Sequence, residues 1–274
     1  MIERLFKLKQ NGTDVKTEVI GGITTFMTMA YILAVNPSLL SVSGMDATAV
    51  LIATCLASFV GTACMALMAN YPFALAPGMG LNAYFAFTVC GTMGYSWQVA
   101  LFAVFVEGIV FIIMSLTNVR EALFNAIPLT LKKGVAVGIG LFIAFIGLQN
   151  AKIVVNNDST LVGMFSFKGS INGGTFSFEG ITVLLAMIGV IITAVFLVKN
   201  VKGGILWGIL ITWVLGIICQ LAGIYVPNPE AEYYSLYPTL AFTDFTAIGK
   251  TFGQCFKADF TGVSIGNFIA ILLA

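Results

Sequence analysis

The chain has 274 residues, of which 59% are hydrophobic and only 9% are charged, and its formal net charge is +1. An ordinary soluble domain carries roughly a quarter charged residues, so this composition cannot cover a globule in water. The mean hydropathy of +1.00 indicates that a lipid bilayer is the solvent. A net charge so close to zero, with no basic stripe, also argues against binding to nucleic acid.

The sequence lacks the side chains of the common catalytic and metal sites. It has no histidine, and its five cysteines form no CxxC pair, so neither a Ser-His-Asp triad nor a zinc site is expected. No Walker A pattern is present. We therefore expect no enzymatic activity, no metal and no cofactor. Energy for any pumping would come from an ion gradient or from another subunit.

Seven apolar blocks follow one another along the chain, each close to the ~20 residues that cross a hydrocarbon core. They cover residues 19–41, 47–69, 71–90, 97–116, 133–150, 180–198 and 203–224. An eighth block opens near Val263, and the sequence predicts that the chain stops inside it at Ala274. The predicted fold is an all-α polytopic membrane protein with seven transmembrane helices and the start of an eighth.

Positive charges fall unevenly on the two sides of these spans. Nine lysines and arginines lie on the side of the N-terminal segment 1–16, and four lie on the other side, in loops 151–179 and 225–262. The positive-inside rule then places the N-terminus in the cytoplasm. Because segment 1–16 has no apolar core of a secretory signal, we expect a multi-pass protein of the plasma membrane.

A short amphipathic segment separates the fourth and fifth spans. Asn118 can cap a helix over residues 119–126, whose apolar side chains fall at helical spacing before Pro128 ends it. The pattern predicts a helix in the cytoplasmic interface of the membrane.

The third span contains helix-breaking residues at mid-membrane depth. Pro77 removes a helix hydrogen bond, and Gly78 and Gly80 loosen the backbone around it. Transporters build binding sites where a helix is broken in this way. We expect a half-helix that begins near Gly80, with its free N–H groups and Asn82 facing the site. The alternative is a simple proline kink relieved by neighbouring helices.

The first span carries polar and small residues on an apolar ground. Its glycines and threonines, from Gly21 to Thr28, are explained equally well by close helix packing, with hydroxyls bonded to their own helix, and by a binding site. Asn36 and Pro37 are interpreted as a break near the outer end of the span.

Glu107 is the ionisable residue in the middle of a predicted span. A charged carboxylate is expensive in hydrocarbon, so this side chain must be paired, protonated or hydrated. Two interpretations stay open, namely a functional carboxyl group and a neutral glutamic acid hydrogen-bonded between helices.

Several stretches of the sequence resemble one transporter family. They are Glu18–Ile32 (EVIGGITTFMTMAYI) with Val35–Pro37 (VNP), Ala76–Ala83 (APGMGLNA), Leu116–Ala122 (LTNVREA) and Gly138–Ala144 (GIGLFIA). These motifs resemble the nucleobase–ascorbate (xanthine/uracil permease) transporters, specifically the adenine/guanine/hypoxanthine permease branch.

The resemblance implies a fold of fourteen spans in two inverted repeats, of which this chain would hold the first. Segment 1–16 would be the cytoplasmic N-terminus, residues 17–117 half of the core domain and residues 118–225 half of the gate domain. Residues 226–274 would form an extracytoplasmic loop and a truncated eighth span.

The resemblance also implies import of purine nucleobases by proton symport, with the lipid bilayer as surroundings. Substrate-binding residues carried over by motif are Gly80, Leu81 and Asn82 from the third span, and Thr25, Met29, Tyr31 and Ile32 from the first. The family's coupling acids would lie beyond Ala274, and Glu107 matches none of them, so it is a secondary polar candidate.

Other functions stay open on the sequence alone. Half of a site is also compatible with a uracil or xanthine permease, and seven spans alone with a non-transporting membrane scaffold or an inactive fragment. A homodimer is compatible with the sequence, and a membrane enzyme is disfavoured because the spans contain no paired acid and base.

Overall fold

The computed structural model describes residues 6–117, 119–231, 233–238, 244–261 and 263–273. Its α-helices are α1 (Val15–Met29), α2 (Ile32–Ser41), α3 (Ala47–Cys64), α4 (Met79–Ala83), α5 (Trp97–Leu116), α6 (Val119–Ala126), α7 (Leu129–Asn150), α8 (Phe167–Asn172), α9 (Ile181–Val198), α10 (Gly204–Leu221) and α11 (Ile265–Leu273). π-Helical turns cover Met65–Ala69, Tyr84–Thr92 and Phe176–Gly180, and 3₁₀ turns cover Pro229–Ala231, Phe245–Lys250 and Gln254–Lys257. Strands β1 (Val154–Asn157) and β2 (Leu161–Met164) complete the set.

Among the described residues, six helical segments are long and apolar enough to cross a membrane. They are Val15–Ser41, Ala47–Ala69, Trp97–Leu116, Leu129–Asn150, Phe176–Val198 and Gly204–Leu221. They coincide with every predicted span except the third, which the sequence predicts to be broken. Helix α11 lies where the eighth apolar block opens. The all-α polytopic membrane fold is therefore confirmed.

The short amphipathic helix has the predicted bounds, since α6 runs from Val119 to Ala126. The Arg120 guanidinium lies 4.4 Å from the centre of the Phe111 ring, and the Lys132 ammonium lies 3.8 Å from the centre of the Phe124 ring. Such cation–π contacts allow basic side chains to cover apolar surface while their charges stay near water. Asn118, its predicted cap, lies outside the described residues.

Contacts divide the chain into two compact units. The first comprises residues 1–30 with 142–241, and the second comprises residues 31–141 with 242–274. These boundaries differ from the core and gate segments expected from the resemblance, 17–117 and 118–225, which stay a prediction.

In the first unit, glycine and threonine let α9 and α10 approach closely. The Thr193 hydroxyl donates to the Gly189 carbonyl of its own helix (2.8 Å), and the Thr212 hydroxyl donates to the Gly208 carbonyl of its own helix (2.7 Å). Each glycine faces the threonine of the opposite helix. Packing of small residues replaces the hydrophobic effect, which does not drive helices together inside lipid.

In the second unit, apolar side chains of three spans form a buried cluster. Its members are Met45, Val50, Phe85, Val89 and Ala100. At the edge of this unit the Lys250 ammonium donates to the Asp46 carboxylate (2.7 Å), which also accepts from the Ala49 N–H at the start of α3. Lys250 and the Ala49 N–H hold the pKa of the Asp46 carboxyl below its usual value.

The segment 151–179, predicted as a loop, contains secondary structure of its own. Strands β1 and β2 pair antiparallel with Val154 opposite Met164, and the short helix α8 follows. The hairpin was missed because its strands are only four residues long and apolar residues do not alternate along them.

Replacing Gly208 with alanine should destabilise the contact between α9 and α10. The added Cβ would lie 2.0 Å from Thr193 Oγ1 and 3.2 Å from the Thr193 Cα atom. We expect Gly208→Ala to cost about 1–3 kcal/mol through overpacking, which outweighs the gain in helix propensity. Thermal unfolding of the detergent-solubilised protein measures this loss.

The matched control is Gly140→Ala in α7, where an added Cβ meets nothing within 4 Å. Its unfolding temperature should stay equal or rise. Equal unfolding temperatures for the two variants would contradict the packing assigned to Gly208.

Candidate functional site at the broken third span

The third span begins with backbone that is not helical. A π-helical turn ends α3, and Asn70 then adopts a left-handed conformation with φ of +53°. No helix forms over residues 71–78, and α4 begins at Met79, one residue before the predicted start at Gly80. Pro77 lacks an N–H group and restricts the residue before it, so no helix continues through this point.

The non-helical segment is held against α3 by a threonine. The Leu75 N–H donates to Thr62 Oγ1 (3.0 Å), and the Thr62 hydroxyl lies 3.4 Å from the Leu75 carbonyl oxygen, to which it donates. A Cβ on the neighbouring Gly61 would lie 3.4 Å from the Leu75 side chain, at the edge of ordinary van der Waals contact. One hydroxyl therefore satisfies both backbone polar groups of Leu75, a residue that lies outside any helix.

The half-helix that follows presents unpaired backbone donors. Gly78 precedes it in extended conformation with no side-chain cap, and the first hydrogen bond of the turn runs from the Asn82 N–H to the Gly78 carbonyl (3.2 Å). In the part of the chain that the structure describes, the N–H groups of Met79, Gly80 and Leu81 have no partner. The helix dipole adds positive potential at this end.

Asn82 is tied to the first two spans by a chain of side-chain hydrogen bonds. Asn82 Nδ2 donates to Asn36 Oδ1 (2.5 Å), and Asn36 Nδ2 donates to Thr54 Oγ1 (2.7 Å). Asn36 and Thr54 are only 2% and 3% exposed. The network therefore joins α2, α3 and α4 through polar groups that are shielded from solvent.

The structure brings together the third-span residues predicted to bind substrate. Gly80, Leu81 and Asn82 occupy the first turn of α4. The Leu81 side chain is 66% exposed, whereas Asn82 is half-buried because its amide is engaged with Asn36. This turn combines free N–H donors with an amide, and both can bind a planar polar ligand.

The first-span residues predicted to bind substrate lie in different parts of the fold. Thr25 and Met29 belong to α1 in the first compact unit, whereas Tyr31 and Ile32 stand at the start of α2 in the second. Ile32 is buried one helical turn before Asn36, and Tyr31 is partly exposed. The substrate-binding role of all four stays a prediction.

The threonines of α1 bond to their own helix. Thr24, Thr25 and Thr28 donate their hydroxyls to the carbonyls of Ile20, Gly21 and Thr25. Such bonds satisfy a hydroxyl inside hydrocarbon without any partner helix, so they agree with the packing interpretation of this pattern. The hydroxyl oxygens keep a lone pair for a further contact.

Glu107 lies in the middle of α5 with its side chain exposed. Among the described residues it forms neither a hydrogen bond nor an ion pair, so it takes no part in the arrangement around Asn82. Its role as a secondary polar site stays a prediction.

The hydrogen-bonding roles of Asn36 and Thr54 were not predicted from the sequence. The interpretation of Asn36 and Pro37 as a break is wrong, because α2 continues through Pro37 and the first span is interrupted earlier, at Ala30–Tyr31. A proline inside a membrane helix is tolerated where surrounding protein satisfies the freed carbonyl. The available signal was the amide of Asn36 within an apolar span, since a buried amide requires partners.

Comparison with known proteins places this arrangement in a family. The model of the permease family named for xanthine and uracil permeases matches residues 16–242, well over half of the chain. The chain belongs to the xanthine/uracil permease family. The resemblance inferred from the sequence motifs is thereby confirmed.

The relatives belong to the branch that the motifs indicated. The adenine permease AdeP of Escherichia coli is 44% identical over 79% of this chain and 46% of its own length. The guanine/hypoxanthine permease PbuG of Bacillus subtilis is 42% identical over 92% of this chain and 54% of its own length. PbuO of Bacillus subtilis, another guanine/hypoxanthine permease, is 47% identical over 76% of this chain and 46% of its own length. The chain therefore spans about half the length of the curated relatives it matches.

Removing the Thr62 hydroxyl should loosen the non-helical segment. We expect Thr62→Val to destabilise the protein by about 1–3 kcal/mol, because the Leu75 N–H is left without a partner. Thr62→Ser keeps the hydroxyl and should behave like the wild type. Thermal unfolding in detergent compares the three proteins, and a valine variant as stable as the serine variant would contradict the anchoring role.

Proposed function

We propose that this chain forms part of a secondary active transporter that imports purine nucleobases across the plasma membrane, with its N-terminus in the cytoplasm. The observation that carries the proposal is the half-helix α4, which exposes three backbone N–H groups and the Asn82 amide after a break in a membrane span. The excess of lysine and arginine on the N-terminal side supports the orientation.

The geometry suits an uncharged, planar, polar ligand. Ring nitrogens and carbonyl oxygens of a base would accept from the N–H groups at the start of α4, where the helix dipole strengthens such bonds. The Asn82 amide would add a hydrogen bond at the edge of the base, as asparagine does when it recognises adenine in other proteins. The exposed Leu81 side chain would supply apolar surface against the ring.

The relatives support purines as the substrate class, since their names specify adenine, guanine and hypoxanthine. For coupling, we propose proton symport, and the sequence contains no nucleotide-binding motif that would supply energy from ATP. A carboxyl group in a span suits proton transfer because burial raises its proton affinity. Glu107, whose side chain is exposed, stays a secondary polar candidate to which we assign no coupling role.

Uptake of radiolabelled bases tests the proposal. Cells that lack their own purine transporters and express the full-length protein should accumulate adenine, guanine or hypoxanthine, and a protonophore should abolish accumulation. Uptake that depends on sodium and resists the protonophore would overturn the proposal that the proton is the coupling ion. Uptake of uracil alone would overturn the purine assignment, and uptake of xanthine alone would overturn the choice of adenine, guanine or hypoxanthine as substrates. Uptake of no base would overturn the transport function.

Loss of the Asn82 side chain should weaken substrate binding. Asn82→Ala removes one hydrogen bond to the base and leaves a polar group unpaired, which costs about 1–3 kcal/mol. We expect the apparent affinity for the transported base to fall more than tenfold with the protein still in the membrane. The matched control is Thr92→Ala at the far end of the same broken span, where the hydroxyl bonds to the Phe87 carbonyl. If Asn82→Ala leaves the transport kinetics unchanged, Asn82 does not bind the base and serves only in packing.

A further inference from the structure

The side chains behind Asn82 form a polar chain that the transport function does not by itself explain. Asn36 and Thr54 lie on α2 and α3, and both are nearly excluded from solvent. Neither reaches the open end of α4 where a ligand would bind, because each is engaged with the next member of the chain. Burying two polar side chains is costly unless they are hydrogen-bonded, and the bonds within the chain offset that cost.

We propose that Asn36 and Thr54 are positioning residues that fix the orientation of the Asn82 amide, so that its carbonyl oxygen is presented to an N–H group of the transported base. The inference rests on the proposed function. It assigns the direction of hydrogen bonding at the site, and hence the chemistry of the ligand edge that Asn82 recognises.

In the structure the hydrogen bonds of the chain run in one direction, from Asn82 through Asn36 to Thr54. Thr54 Oγ1 accepts from Asn36 Nδ2, which turns Asn36 Oδ1 towards Asn82. Asn36 Oδ1 then accepts from Asn82 Nδ2, and rotation of the Asn82 amide by 180° would bring two carbonyl oxygens together. The Asn82 amide is therefore held by Asn36, which is anchored in turn by the Thr54 hydroxyl on another span.

This orientation leaves Asn82 Oδ1 available. In the part of the chain that the structure describes, that oxygen accepts no hydrogen bond. The backbone N–H groups of α4 are donors only, so Asn82 Oδ1 supplies the acceptor that complements them. A heterocycle that carries an N–H donor beside its acceptors fits this combination, and the common purine bases belong to that class.

A valine at position 54 removes the acceptor while it keeps nearly the same volume. The Asn36 amide then loses its hydrogen-bond anchor and can rotate, and Asn82 loses its fixed alignment. For Thr54→Val in the full-length protein we expect the KM for the transported base to rise about three- to tenfold, the equivalent of one hydrogen bond. The maximal rate per transporter in the membrane should stay unchanged. Thr54→Ser keeps the hydroxyl and should restore the wild-type KM.

Two comparisons separate positioning from a general loss of stability. Ser58→Ala, one helical turn along α3, removes a hydroxyl that has no partner among the described residues, and it should leave the KM unchanged. In an Asn82→Ala background, Thr54→Val should have no further effect on the KM, because Thr54 acts through Asn82.

The results that would overturn the inference are distinct from those that would overturn the proposed function. Transport by the wild type with additive effects of Thr54→Val and Asn82→Ala, or with an unchanged KM in Thr54→Val, would overturn the positioning role alone. A reduced amount of Thr54→Val protein in the membrane, at unchanged KM, would show a folding role and would also overturn the positioning role. Absence of uptake by the wild type would overturn both.

Discussion

Backbone that leaves a helix inside a hydrocarbon layer must find its hydrogen-bond partners within the protein. In the second compact unit this constraint falls on residues 71–78 and on the first turn of α4. Thr62 satisfies the backbone N–H and carbonyl of Leu75 in the non-helical segment, and the chain from Thr54 through Asn36 holds the Asn82 side chain at the start of the half-helix. Both threonines lie on α3, so this helix acts as the support on which the broken span is built.

Threonine serves two different purposes in this protein. In α1, α9 and α10 the threonine hydroxyls bond to their own helix and become part of a smooth packing surface, as Thr193 and Thr212 show against the facing glycines. In α3 the hydroxyls of Thr54 and Thr62 reach other parts of the chain. Residue type alone does not distinguish these uses, because both place a small polar group in an apolar span.

The sequence was sufficient for the spans and for the broken helix, because both depend on local composition. Apolar blocks of membrane length fix the crossings, and Pro77 with its glycines fixes the break, whatever the rest of the fold does. The site was predicted only in part. Asn82 could be predicted as a site residue because it lies just after the break. Its hydrogen bond to Asn36, 46 residues away along the chain, depends on how α2 and α4 pack against each other. The packing of these helices is a tertiary property that local sequence does not specify. Pro37, beside Asn36, instead suggested a helix break that the structure does not contain.

The first span contributes its predicted site residues to two different compact units, with the boundary between Ala30 and Tyr31. Up to Ala30 the span belongs to the first compact unit, where Met27 of α1 packs against Gly203, just before the start of α10. From Tyr31 onwards the span belongs to the second unit, where α2 packs on α3 and α4 and places Asn36 within hydrogen-bond distance of Asn82. Because α2, α3 and α4 are joined by buried hydrogen bonds as well as by apolar contact, separating them would leave unpaired polar groups in hydrocarbon. Any motion within this unit that keeps the network intact must therefore carry these three helices together.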